Sequence, residues 1–211
     1  MDTIVRRAGA CWIAAGVLGL AGLAHPHSFD IGFAESSRQP VWSAVHVATV
    51  ITLILTLFGL VGLALRHGPA WGRLGIVGTV LAVPGIVVGA GLFLTEALVF
   101  PVLAREDPAL LDLDGPLLAS VPFRFAGGVI PAWLMGLVLV GVAVERARVL
   151  PRGTGTLLAI ATVLLAAFAV PFVPVTGKIA GVVFSIAHAW LGWSLIASVP
   201  PRHHDARKRS R

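Results

Sequence analysis

Four ionisable residues fall inside or at the border of long apolar runs: His46, Glu96, Arg124 and His188. A charged group in hydrocarbon costs at least ~2.5–3.5 kcal/mol on insertion scales, so each needs a partner or a role. Glu96 is the only acid within such a run. It can serve as a general acid, as a protonated hydrogen-bond donor, or as one arm of an ion pair with Arg124. Arg124, in VPFRFAGG, can instead snorkel outward to lipid headgroups. His46 and His188 can each be satisfied by a helix–helix hydrogen bond or can anchor a ligand. As a pair they offer axial ligands for haem. Their depths along their helices differ by about 6–8 Å at 1.5 Å per residue, a gap that helix tilt can absorb. Four such groups on four segments, all in one half of the expected membrane, suggest a polar pocket open to that side. His46, Glu96, Arg124 and His188 are then its ligand-binding anchors.

Weaker constellations lie between the runs. His25-Pro26-His27 sits near Asp30, Glu35 and Arg38. His-x-His beside carboxylates can hold zinc or copper, although two histidines around a loop proline are more often simply polar loop residues. Asp112 and Asp114 lack the remaining ligands of a calcium loop. Ser185 lies one helical turn before His188 with no acid to complete a triad. There is no H-E-x-x-H, no G-x-S-x-G and no phosphate loop after a strand. Paired carboxylates of the kind that drive proton-coupled pumps are also absent, and no catalytic residue is assigned. The single Cys11 and the lack of tyrosine exclude an intramolecular disulfide and phenolic chemistry.

The elements that must position these residues follow from composition. Of 211 residues, 57% are hydrophobic and only 12% charged, with a mean hydropathy of +0.91. A soluble domain carries about a quarter charged residues. This chain therefore reads as an all-α polytopic membrane bundle rather than a soluble enzyme or a nucleic-acid binder. Apolar runs near the ~20 residues needed to cross hydrocarbon occur at about 8–24, 42–65, 74–100, 124–144, 155–173 and 179–199. They predict six transmembrane helices in one domain over 1–199, with 200–211 (PPRHHDARKRSR) as a basic tail suited to an anionic leaflet. Twelve of the 16 basic residues fall in the termini and in loops 66–73 and 145–154. That side nets +9 once Asp2, Glu145 and Asp205 are counted. The other nets −3, from four basic residues against seven acids. The formal charge of +6 is thus a topological signal. It puts both termini in the cytoplasm and loops 25–41 and 101–122 outside. The pattern PVLAREDPALLDLDGP in the latter suggests a short interfacial helix or a lid. Residues 1–24 also resemble a signal peptide, with Arg6-Arg7, an apolar core and small residues at Gly22 and Ala24. The Gly16/Gly19/Gly22 stripe favours a retained, packed helix instead.

W-x3-H entering the second run, E-x4-P from Glu96 to Pro101, D-G-P-L from Asp114 to Leu117 and A-W-L-G-W in the sixth run carry a resemblance. The chain resembles the small multi-pass membrane proteins common in high-GC actinobacteria, a group without an assigned chemistry. The resemblance implies a helical bundle in the bacterial cytoplasmic membrane and nothing about catalysis. Four functional readings remain open: a pocket binding a small amphipathic molecule or lipid, a structural subunit of a membrane complex, a haem or metal protein, and an enzyme acting on a lipid or isoprenoid. The expected partners are the bilayer and a small amphipathic ligand, with no nucleic acid.

Overall fold

A computed structural model describes residues 1–26, 28–170 and 173–200, excluding the side chains of 28–30. Among these residues the chain is helical and contains no strand. The principal elements are α1 (Asp2–Gly19), α2 (Ser28–Ser37), α3 (Val41–His67), α4 (Gly72–Leu98), α5 (Phe100–Glu106), α6 (Val121–Ala147), α7 (Thr154–Leu164) and α8 (Thr176–Ala197). Four stretches are long and apolar enough to cross a membrane: Asp2–Ala24, Val41–Leu98, Val121–Ala147 and Thr176–Ala197. The 58-residue second stretch holds two 27-residue helices, α3 and α4, split by a 3-10 turn at Gly68–Trp71. The fifth run, expected over 155–173, is α-helical for only 11 residues and continues as a five-residue π turn, Leu165–Ala169. It is shorter than a span requires.

Helices α1, α3, α4, α6, α7 and α8 form a closed ring in which each packs on its neighbours in the chain and α8 returns to α1. Small residues set the spacing. A Cβ added at Gly16 would run into the Ser185 carbonyl of α8, and one at Gly136 of α6 would meet the backbone of Gly78 and Ala82 in α4. Such close approach is how helices associate where lipid removes the hydrophobic drive between them. Trp12, Leu53, Leu60, Ile86, Leu137, Leu158 and Leu191 fill the interior. Phe58, Val80, Val87, Ile160, Ile179 and Trp193 lie exposed on the outer surface, a distribution suited to lipid and unfavourable in water. The chain is a membrane protein of helical bundle type.

The two ends of the ring differ. At the end holding residues 1 and 200, Arg6 donates to the carbonyls of Val199 and Pro200, and Arg66 donates to the hydroxyl and carbonyl of Ser198. Both guanidinium groups thereby cap the C-terminus of α8, where the helix dipole favours cations. Glu145 of α6 accepts from the backbone N–H groups of Gly153 and Thr156 and so caps the start of α7. At the other end, the segments expected as long loops build a cap. The segment 101–122 opens in α5 and a 3-10 turn at Pro108–Leu111, as its leucine pattern suggested. The segment 25–41, expected as a loop, contains α2, interrupted at Gly32, where φ is 77°. Trp42, Phe100, Ala104, Leu111 and Leu118 form a second small core here, with Phe33 packed against it. Arg38 of the α2 region ties to the Ala104 carbonyl of α5.

The α4–α6 contact supplies a test. Gly136→Leu is expected to lower stability by about 1–3 kcal/mol, the usual cost of overpacking. Gly91→Leu, where nothing lies within 4 Å, is expected to be near neutral. Thermal unfolding of the two purified variants in one detergent checks the difference.

Candidate functional site

The first turn of α3 meets the last turn of α4 beneath the cap, because the two helices run antiparallel across a short turn. Trp42 Nε1 donates to the Glu96 carbonyl at 2.7 Å, and Ser43 Oγ donates to the Ala97 carbonyl at 2.7 Å. One turn deeper, His46 Nδ1 lies 2.8 Å from the Trp42 carbonyl. A carbonyl only accepts, so Nδ1 carries a hydrogen. His46 Nε2 lies 3.0 Å from Glu96 Oε2, with the two side chains 2% and 11% exposed. So close an approach is favourable when one proton lies between Nε2 and Oε2, as imidazolium–carboxylate or as imidazole–carboxylic acid. Either form is neutral overall, which suits a site shielded from water. The other carboxyl oxygen, Oε1, makes no hydrogen bond among the described residues.

This pair sits at one end of a cavity of about 350 Å³ inside the ring. Its walls come from the end of α1 (Gly19), α3, α4 (Leu92, Phe93), α6 (Ile130, Trp133), the π turn (Leu165) and α8 (Phe184). The α3 face carries a polar line, His46, Thr49, Thr52 and Thr56. These positions recur at three to four residues and so share a side of the helix. Thr49 and Thr56 return their hydroxyl hydrogens to the carbonyls of Val45 and Thr52. Thr52 Oγ1, Trp133 Nε1 and Ser185 Oγ are buried without a hydrogen-bond partner among the described residues, and all three residues line the cavity. Gly22, Leu23 and Lys178 are exposed lining residues and lie along its mouth.

Of the four anchors expected from the sequence, two meet. His46 and Glu96 are bonded, whereas an ion pair of Glu96 with Arg124 does not form. Arg124 is exposed at the start of α6 and does not line the cavity. His188 is 1% exposed and lies outside the lining. Its Nδ1 is 3.0 Å from the Phe184 carbonyl, and its ring packs between Phe184 and Trp12 with centroids at 4.1 and 4.8 Å. His188 Nε2 and Trp12 Nε1 have no partner among the described residues.

The haem and metal readings can be tested on these contacts. Both nitrogens of His46 are engaged, and the His188 ring is packed against Phe184 and Trp12. The two imidazoles do not fit an axial haem pair. His25, the weak metal candidate, lies 2.5 Å from the Pro26 carbonyl through Nδ1 and packs its ring on Trp42 and His46. Its companion His27 lies outside the described residues. Among the described residues no group of three His, Cys, Asp or Glu side chains is placed to hold a metal ion.

The threonine line, Trp42, Trp133 and Lys178 were not identified from the sequence as parts of the site. The signal available was periodicity: a histidine followed at helical spacing by three threonines on an otherwise apolar helix. Comparisons with family models, curated proteins and solved structures give no match to this chain.

The pair can be tested by a double-mutant cycle. His46→Leu and Glu96→Leu are each expected to cost about 3 kcal/mol, since each strands a buried partner. The double variant is expected to cost clearly less than their sum. Unfolding midpoints of the four proteins check this, and additive losses would mean that the two side chains do not interact.

Proposed function

We propose that the protein is a six-helix integral protein of the bacterial cytoplasmic membrane, with both termini cytoplasmic. In this reading its outer half binds a small amphipathic or lipid molecule. The topology rests on the +9 and −3 charge balance of the two sides. Arg6 and Arg66 gathering at the same end as residue 200 is consistent with it. The cap of α2 and α5 then faces outward and covers the polar end of the cavity.

The observation that carries the ligand reading is the contrast within the cavity. An apolar chamber of about 350 Å³ holds one acid–base pair at one end and exposed residues along one edge. Ligand sites are concave and mostly apolar with a few polar groups that fix orientation, commonly ~300–1,000 Å³ in size. His46 and Glu96 are the proposed anchors. Helix glue alone would account for the His46–Glu96 contact but not for a largely apolar cavity of this size beside it, since interiors pack with few voids larger than a water.

Mass spectra of protein extracted gently from its native membrane are expected to show a co-purifying amphiphile. Gly181→Phe adds a side chain from a lining position where nothing lies within 4 Å, so it is expected to displace the amphiphile while leaving the unfolding midpoint nearly unchanged. Retention of the same amphiphile in this variant, or its absence from the wild type, would count against the proposal.

A further inference from the structure

The charge of the occupant can be read from the wall of the cavity. Among the described residues, Glu96 is the one buried acid on that wall, and its Oε1 makes no hydrogen bond to them. Phe93, Trp133 and Phe184 also line the chamber, with the Phe93 ring 6.0 Å from the His46 ring. A carboxylate in low dielectric beside aromatic rings attracts a cation by direct charge and by the ring quadrupoles. Resting on the amphiphile reading above, we infer that the occupant is a lipophilic organic cation, held by Glu96 and exchanged for a proton of the His46–Glu96 pair.

The charge balance supports exchange. At rest the pair shares one proton on the Nε2–Oε2 line and is neutral. A monovalent cation arriving at Oε1 adds one positive charge. Loss of the shared proton to solution restores neutrality, leaving the carboxylate bound to the cation and His46 neutral with its Nδ1 hydrogen still on the Trp42 carbonyl. Among the described residues, the other titratable groups facing the pair or its cavity are His25, before α2, and Lys178, on α8. The lining residues of α1, α6 and the π turn carry no ionisable side chain. Lys178 is exposed, so solvent screens it more strongly than Glu96.

Tetraphenylphosphonium and tetraphenylborate test the inference, since they share a shape and differ in charge. With the full chain in nanodiscs and protein-free discs as control, saturable binding of the cation is expected and saturable binding of the anion is not. In weak buffer the wild type is expected to release close to one proton per cation bound. Glu96→Gln is expected to weaken cation binding about tenfold or more, as loss of a buried charge contact does. Lys178→Met is expected to change it by less than about threefold, as for a screened surface charge. Because the charge comparison and proton release are read on the wild type, they do not depend on any variant folding. Saturable anion binding that needs Lys178, or cation binding without proton release, would overturn the inference. If neither probe binds while a native amphiphile co-purifies, the cation assignment fails and the amphiphile reading stands. If no amphiphile is found either, both fail.

Discussion

The start of α3 is fastened to the end of α4 by three polar contacts within two helical turns. They are the Trp42 indole to the Glu96 carbonyl, the Ser43 hydroxyl to the Ala97 carbonyl, and the His46 imidazole to the Glu96 carboxyl. A hydrogen bond in water contributes about 1 kcal/mol net, but an unmade one in a dry site costs more than a made one gains. That asymmetry holds the junction together and fixes where the cavity ends. Trp42 couples it to the cap as well. Its ring lies against His46 on the cavity side and stacks on Phe100 on the other. The small core of the cap and the polar end of the cavity therefore share one side chain.

The opposite end of the ring is organised by full charges acting on helix termini. Arg6 and Arg66 converge on the carbonyls of Ser198, Val199 and Pro200 just beyond α8, and Glu145 gathers amides at the start of α7. The two arginines add to the charge asymmetry that orients a membrane chain, and all three residues satisfy backbone groups at or just beyond helix ends. The charged end is thus closed by structure, while the cavity lies toward the other.

Helical content and the positions of the long runs were legible because hydropathy over twenty residues is a strong signal. The runs 42–65 and 74–100 correspond closely to α3 and α4. That His46 and Glu96 would be buried polar groups was legible too, since ionisable side chains stand out against an apolar background. Their partnership was not. It depends on the antiparallel register of α3 and α4, which brings position 46 opposite position 96, and arginine is the more obvious counter-charge in a list of residues. Arg124 was misplaced for that reason. His188 shows the limit from the other side, because depth within a helix does not say which way a ring points. The cap was half legible. The leucines of 108–118 announced a buried face, whereas α2 is short, mixed in composition and broken at Gly32.

The shortness of the fifth helical run has a consequence for the surrounding lipid. Eleven α-helical residues and a five-residue π turn reach about 24 Å at 1.5 Å per residue, against ~30 Å of hydrocarbon. A bilayer meeting a short flank thins locally rather than leave apolar chain ends facing a void, at a modest cost per ångström of mismatch. The π turn ends beside the edge of the chamber that carries Lys178. The headgroup layer would dip toward the protein on that side. On the proposed function, an amphiphile moving laterally within the leaflet would reach the opening with its head already near that depth.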